Sequence, residues 1–88
     1  MKTAFKDSFY KALLKLRNPK LKSEIAVIIS EIEYAEDLRK IPNLKRLHGR
    51  GKYYRIKIGD YRIGLKLVDE VVYFVDLAHR KDIYKHFP

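Results

Sequence analysis

Two segments near the start of the chain carry apolar residues at helical spacing. In the first segment, these positions are Phe5, Phe9, Ala12, Leu13 and Leu16. In the second segment, they are Leu21, Ile25, Ile28, Ile29 and Ile32. Proline cannot continue a helix but suits its first turn, so the first helix is expected to stop near Asn18. Pro19 then begins the second helix, with Asn18 as its N-cap. The pattern predicts an antiparallel helical hairpin.

The second half of the chain contains runs of β-branched and aromatic residues, which are typical of strands. The predicted strands are residues 53–58, 61–68 and 71–77. Gly59-Asp60 and Asp69-Glu70 separate them and suit tight two-residue turns, so the three strands are expected to form an antiparallel meander. The third strand is apolar on both faces, and we expect it to be central or covered twice.

Two further segments complete the predicted architecture. Met1–Phe5 is predicted as a short edge strand, and residues 36–51 as a connecting segment in which Pro42 breaks the periodicity. The elements predict an α+β fold, with residues 1–88 as a single domain. The helical hairpin is expected to pack on one face of an antiparallel sheet made of the meander and the N-terminal edge strand, followed by a short C-terminal tail. The other face is expected to be partly open.

The first hairpin of the meander gathers cations on one face. Tyr53, Arg55 and Lys57 share one side of their strand. A turn at Gly59-Asp60 puts Lys57 opposite Arg62, with their Cβ atoms about 4.5–5.5 Å apart. The same register pairs Ile58 with Tyr61 and Ile56 with Ile63. Like charges placed opposite each other destabilise a sheet, so we expect an anion to bind there.

The distribution of charge supports this expectation. The 88 residues carry a formal net charge of +9, and residues 45–62 alone hold seven basic groups and one acid. Such clustering indicates a polyanion or an acidic protein as partner. The chain has no cysteine and its three histidines are scattered, so neither a disulfide nor a metal site is expected. No apolar run is long enough to span a bilayer, and a reducing cytoplasm is the expected location.

Two motifs resemble the signatures of a known family. The run from Leu47 to Arg62 is similar to the first signature of the RelE/ParE superfamily of bacterial and archaeal toxins, and the run from His79 to Tyr84 is similar to the second. The resemblance covers essentially the whole chain and implies a RelE-like fold. It further implies an endoribonuclease toxin of a type II toxin-antitoxin system, an mRNA interferase that cuts mRNA at the ribosomal A site. It also implies a small, acidic, RelB-like antitoxin that blocks the site.

The resemblance also implies the residues of the active site. Carried over by position, the catalytic set is Arg55, Lys57, Arg62, Arg80 and Tyr84. His79 and Arg80 remain rivals for one role, because some relatives use a histidine near the C-terminus. Arg55 stands where lysine is often seen, so proton transfer at that position is not expected. The ParE branch shares the fold but lacks the full set, so retention of all five positions favours the RelE branch.

The chemistry of RNA cleavage suits these residue types. RNA supplies its own nucleophile, the 2′-hydroxyl, so cleavage needs a base, cations for the phosphorane and an acid, but no metal or cofactor. Arg55 and Arg62 suit the phosphate, because guanidinium is planar, charged and bidentate. Lys57 is the candidate base, and Arg80 is the candidate partner of the leaving 5′-oxygen. Tyr84 either contacts the substrate or anchors the tail. The expected product is a 2′,3′-cyclic phosphate.

Other basic positions around the hairpin are predicted to bind RNA. They are Lys45, Arg46, Arg50, Lys52 and His79. Two alternatives to the nuclease remain open. One is a non-catalytic ParE-like toxin that binds DNA gyrase, and it would tolerate loss of Lys57. The other is a basic nucleic-acid-binding module without chemistry, whose binding would weaken steeply with salt.

Overall fold

The fold is built from five strands, two α-helices and two short 3-10 helices in the part of the chain that the structure, a computed structural model, describes: residues 1–49 and 51–88. The strands are β1 (Lys2–Phe5), β2 (Leu44–Leu47), β3 (Lys52–Ile58), β4 (Tyr61–Val68) and β5 (Val71–His79). The helices are α1 (Asp7–Lys15), α2 (Pro19–Tyr34) and the 3-10 helices Leu38–Lys40 and Ile83–Lys85. The strands form one sheet in the order β1-β5-β4-β3-β2.

Both predicted helices are confirmed, together with the residues that separate them. Asn18 has extended dihedral angles, and its side-chain oxygen accepts a hydrogen bond of 3.1 Å from the backbone nitrogen of Leu21. This bond satisfies a donor that the first turn of α2 would otherwise leave without a partner. Pro19 occupies the first turn of α2. Its nitrogen carries no hydrogen, but a nitrogen at this position would have no partner within the helix, so no hydrogen bond is lost. None of the helices in the described residues is long and apolar enough to cross a membrane.

The core lies between the two helices and one face of the sheet, which we call the helix face. The helices bury Phe9, Leu21, Ile25 and Ile32 against it. The strands contribute Ile56, Ile58, Ile63, Leu65, Val72, Phe74 and Leu77. Tyr54 and Tyr61 also pack against this core and are partly buried by it. The arrangement is the predicted α+β fold.

The meander has the register that its turn residues predict. Ile58 pairs with Tyr61, Lys57 with Arg62, and Ile56 with Ile63. Gly59 has a φ of +53°, in the left-handed region that glycine tolerates. The second turn is also confirmed, because Asp69 and Glu70 have φ values of +48° and +66°, as a tight hairpin turn requires.

The last strand is an interior strand, as its apolar composition predicts. β5 lies between β1 and β4, and it pairs parallel with β1, so the sheet is mixed rather than wholly antiparallel. A parallel pair needs a long crossover connection. The helices and the rest of the meander, which lie between β1 and β5 in the chain, provide it. A β-bulge shifts the register opposite Gly64 and Leu65, so Phe74 and Leu77 both face the core.

The segment predicted to be only a connection contains an additional strand. β2 pairs antiparallel with β3 and forms the second edge of the sheet, with Leu44 opposite Ile56 and Leu47 opposite Tyr53. With only four residues, the strand is too short for an alternating pattern to be recognised. Its two leucines lie three residues apart and therefore face opposite sides of the sheet. The sequence signal for a hairpin of β2 and β3 was the pair of glycines, Gly49 and Gly51, directly before β3.

The predicted cap gives a test of the fold. Replacing Asn18 with alanine (Asn18→Ala) removes the acceptor for Leu21 and should lower the free energy of unfolding by about 1 kcal/mol. Urea denaturation followed by circular dichroism measures the change. Ser23→Ala, at an exposed position of the same helix, is the control and should change it by less than about 0.5 kcal/mol. Equal values for the two variants would contradict the capping role.

Candidate functional site

Basic side chains of three neighbouring strands lie on the side of the sheet opposite the helices, and we call this surface the cationic face. They are Lys45 of β2, Arg55 and Lys57 of β3, and Arg62 and Lys66 of β4. Their common orientation follows from the strand pairs: Lys57 is directly opposite Arg62, and Lys45 is directly opposite Arg55. Directly opposed residues share a face of the sheet. The structure therefore brings together the three strand residues of the predicted catalytic set.

Backbone carbonyls at the ends of the strands orient both arginines. The Nη1 of Arg62 donates hydrogen bonds to the carbonyls of Gly59, at 2.8 Å, and Tyr61, at 2.9 Å. The Nη1 of Arg55 donates to the carbonyl of Asn43 at 3.0 Å. Asn43 has a φ of +62°, a left-handed conformation that asparagine adopts more readily than most residues. Each guanidinium keeps further N–H donors for a ligand.

Lys57 is directly opposite Arg62 and two residues from Arg55 on the same strand, and it is exposed. Within the described residues its ammonium group makes no hydrogen bond or ion pair of its own. The carboxylate of Asp76 belongs to the same face through its pairing with Gly64. That carboxylate accepts a hydrogen bond of 2.8 Å from the backbone nitrogen of Leu77. The charge of the face is therefore predominantly positive and open to water, which suits a phosphate-bearing ligand.

Arg80 lies beside the same turn that orients Arg62. Its backbone nitrogen donates to the carbonyl of Asp60 at 2.7 Å. Its Nε is 3.7 Å from the carboxylate of Asp60, and both side chains are more than half exposed. An exposed pair of this length contributes little to stability, so the guanidinium is free to exchange this partner for a ligand. Lys57, Arg62 and Arg80 thus surround one turn.

Tyr84 projects from the tail that covers part of the cationic face. It is 55% exposed, whereas Ile83 and Phe87 on either side are buried. These neighbours, rather than Tyr84, anchor the tail. At the 3-10 helix that carries Tyr84, the Nζ of Lys85 donates a hydrogen bond of 3.0 Å to the carboxylate of Asp82. This bond holds the pKa of Asp82 below its ordinary value.

The residues predicted to bind RNA are divided between the two faces. Lys45 belongs to the cationic face, as described above. Arg46 pairs with Tyr54, and Lys52 is two residues from Tyr54 on the same strand, so both belong to the helix face. His79 pairs with Tyr61, and their rings meet edge to face at 5.7 Å, also on the helix face. Arg50 lies outside the described residues. The RNA contacts of all five stay predictions, and the helix-face position of Arg46, Lys52 and His79 makes them weaker candidates than Lys45.

One feature of the face was not predicted from the sequence. The ring of Phe87 packs over Gly64 and meets Tyr53 edge to face, with ring centroids 5.5 Å apart. The available signal was Gly64 itself, since a glycine inside a strand often marks the close approach of another group.

In the described ranges, residues 1–49 and 51–88, no three histidine, aspartate or glutamate side chains gather in a way that would hold a metal ion.

Comparison with known proteins identifies the family. No protein-family model matches the chain. A curated relative, "Toxin RelE3" of Methanocaldococcus jannaschii, is 34% identical over 89 residues, which cover 100% of each chain. A chain of the RelB-RelE antitoxin-toxin complex from Methanococcus jannaschii is 32% identical, with a TM-score of 0.82 over 96% of this chain and 98% of that chain. The protein belongs to the RelE family of toxins, as its two motifs indicate.

A second solved structure supports the fold alone. A chain of the archaeal RelE-RelB complex from Pyrococcus horikoshii has a TM-score of 0.74 at 24% identity, over 90% of this chain and 93% of that chain. The arrangement of two helices on a five-stranded mixed sheet is therefore retained at lower identity.

The division of β2 between the two faces provides a matched test of ligand binding. Lys45→Ala should weaken binding of a short 2′-O-methyl RNA, and should reduce the slope of log K against log salt by about 0.7, the loss of one phosphate contact. Arg46→Ala removes the same charge from the next residue but on the helix face, and should leave the slope unchanged. Fluorescence anisotropy at several salt concentrations measures both. A larger effect of Arg46→Ala would contradict the assignment of the cationic face.

Proposed function

We propose that this toxin is a metal-independent endoribonuclease that cleaves mRNA at the ribosomal A site in the cytoplasm. One observation carries the proposal: Lys57 and Arg62 are directly opposed on a solvent-open face, with Arg55 on the same face of the strand. Opposed cations are unfavourable unless an anion lies between them. A phosphodiester of RNA is an anion of suitable size, and it carries its own nucleophile.

The two strand arginines are assigned to the phosphate. Arg62 points along the turn that carries Asp60, and Arg55 lies further along the cationic face, so together they approach a phosphate from two sides. As the 2′-oxygen attacks, negative charge grows on the non-bridging oxygens. Fixed guanidinium groups stabilise that charge more than they stabilise the substrate, which lowers the barrier. The hydrogen bonds from Arg55 and Arg62 to backbone carbonyls hold these groups in place before the substrate binds.

Proton transfer completes the reaction. Lys57, in its neutral form, accepts the proton of the 2′-hydroxyl as the 2′-oxygen forms a bond to phosphorus. The bond from phosphorus to the 5′-oxygen breaks, that oxygen takes a proton from water, and Lys57 then releases its proton to solvent. The products are a 2′,3′-cyclic phosphate and a 5′-hydroxyl end. The proposed reaction uses no metal ion and no cofactor.

The remaining roles belong to the end of the chain. Arg80 stabilises the charge that develops on the leaving oxygen, and its exposed pairing with Asp60 is weak enough to be exchanged. Tyr84 is exposed on the tail whose Phe87 packs on Gly64 of the cationic face, and it is assigned to the base or sugar next to the scissile bond. His79 is the rival of Arg80 for the contact with the leaving oxygen. Its ring packs against Tyr61 on the helix face, which favours Arg80.

An acidic, RelB-like antitoxin is the proposed protein partner. The two solved relatives described above are toxin-antitoxin complexes by name. A net charge of +9, to which the basic residues of the cationic face contribute, would attract a small acidic protein and let it compete with RNA. The ribosome and its mRNA are the proposed targets when the antitoxin is absent.

Cleavage of a ribosome-bound message tests the proposal. Primer extension with the wild-type protein should give stops at defined codons, and the fragments should end in a 2′,3′-cyclic phosphate. Arg62→Ala and Lys57→Ala should each lower the rate by about a hundredfold or more, because each removes a group that acts in the transition state. Arg17→Ala, which removes an exposed arginine between α1 and α2, is the matched control and should cleave at the wild-type rate.

Each contradictory result favours a different alternative. Fragments that end in a 3′-hydroxyl would rule out attack by the 2′-hydroxyl. Growth arrest with intact mRNA would favour a ParE-like toxin that binds gyrase. Salt-sensitive RNA binding without cleavage, equally affected by loss of any single cation, would favour a nucleic-acid-binding module without chemistry.

The partner can be tested with the neighbouring reading frame. Co-expression of a small acidic protein encoded beside this chain should relieve growth arrest and should prevent cleavage in the assay above. Charge reversal at Arg55 (Arg55→Glu) should weaken the complex, whereas Arg17→Glu should not, as judged by co-purification at several salt concentrations. A complex with equal salt dependence in both variants would contradict antitoxin binding at the cationic face.

A further inference from the structure

Gly64 is a buried glycine in the middle of β4, a position where glycine is unfavourable. Glycine weakens the interior of a strand, because it loses more backbone freedom on folding and offers no side chain to pack. The backbone provides no reason, since Gly64 is not among the residues with positive φ. Its side-chain position instead faces another part of the chain.

The ring of Phe87 occupies the space where a side chain at position 64 would lie. A Cβ built at Gly64 would be 2.7 to 2.8 Å from three ring carbons of Phe87, which is closer than carbon atoms can approach. The ring is only 2% exposed, and its other side meets Tyr53 edge to face. The ring therefore packs directly on the backbone of Gly64, in a space that exists because glycine has no side chain. We call this space the socket.

The socket lies on the cationic face. Gly64 pairs with Arg55 across the β3–β4 ladder, and it is two residues beyond Arg62 on the same strand. The tail begins at Arg80, bonded to the turn at Asp60, and ends at this socket. It thus passes over the face between two fixed points.

Tyr84 depends on these two points for its position. Its side chain is 55% exposed, and within the described residues it makes no hydrogen bond that would orient it. The backbone around it is held by the bond from the nitrogen of Phe87 to the carbonyl of Ile83, at 3.0 Å, and by burial of both these residues. An unanchored tail would leave Tyr84 free to move away from the strand cations.

We propose that Gly64 and Phe87 are positioning residues, which form a lock that holds Tyr84 beside the cationic face at the site where RNA is cleaved. The inference rests on the proposed function and adds to it the two residues that set the geometry of the tail. Neither residue touches the reacting atoms. Their effect on cleavage passes through Tyr84, and loss of either should resemble loss of Tyr84 itself.

Amide hydrogen exchange tests the lock independently of activity. Gly64→Ala adds the excluded Cβ, and Phe87→Ala removes the ring. In both variants the amides of residues 85 and 87 should exchange faster, while the amides of β4 and β5 keep their protection. Phe5→Ala is the matched control, because it removes a phenyl ring from the opposite edge of the sheet and should leave the tail amides unchanged.

The double variant distinguishes a lock from general loss of packing. Once Phe87→Ala has removed the ring, Gly64→Ala no longer creates a clash, so its further effect on tail exchange should vanish. Two contacting residues are expected to behave in this non-additive way. Effects of the two substitutions that simply add would contradict the lock. If Gly64→Ala fails to fold, Phe87→Ala and the double variant still decide the question.

Cleavage kinetics test the connection to Tyr84. In the ribosome assay, Phe87→Ala should lower kcat by up to about a hundredfold, as misplacement by about 1 Å can, and leave KM near the wild-type value. Tyr84→Ala should give the same pattern, and adding Phe87→Ala to it should cost no more. Wild-type kcat in Phe87→Ala with a mobile tail would overturn the positioning role and leave the nuclease intact. A wild-type protein that does not cleave would overturn the nuclease, while the exchange data would still report on the lock.

Discussion

The register of the β3–β4 hairpin is the constraint on which the site depends. A slip of one residue would turn Ile56 and Ile63, both fully buried, towards the opposite side of the sheet. Exposing two such side chains costs about 1.5–3 kcal/mol each. The repulsion between Lys57 and Arg62 is smaller, because both charges lie on a face open to water, where solvent and salt screen them. Burial of the core therefore determines the register, and the opposed cations are its consequence.

The same constraint separates binding from support along each strand. Alternation sends the isoleucines of β3 to the helices and Arg55 and Lys57 to the cationic face. A turn with a left-handed glycine then offers its carbonyls to Arg62 and its aspartate to Arg80. One tight turn thus serves the fold and orients two cations. The tail closes the arrangement from the far end of β5.

The sequence predicts most of this hairpin because every requirement is local. Turn residues, alternation and buried pairs agree, and the family motifs add Arg80 and Tyr84. It does not reveal that Arg46 belongs to the helix face, since that depends on β2, a strand too short to be recognised from its pattern. Lys52 stands just before the predicted strand 53–58, and its face follows only because β3 begins at Lys52. It also does not reveal the contact of Phe87 with Gly64. This contact joins distant parts of the chain and has no periodicity.

The proposed function requires the cations of β3 and β4 to converge on one phosphodiester. The direct measurement is the NMR spectrum of arginine and lysine side chains during titration with an RNA trinucleotide whose 2′-hydroxyls are methylated. The largest shifts are expected at Arg55, Lys57 and Arg62, and they should saturate together at one equivalent of RNA. Shifts concentrated at Arg46 and Lys52, with the cationic face unchanged, would contradict this convergence.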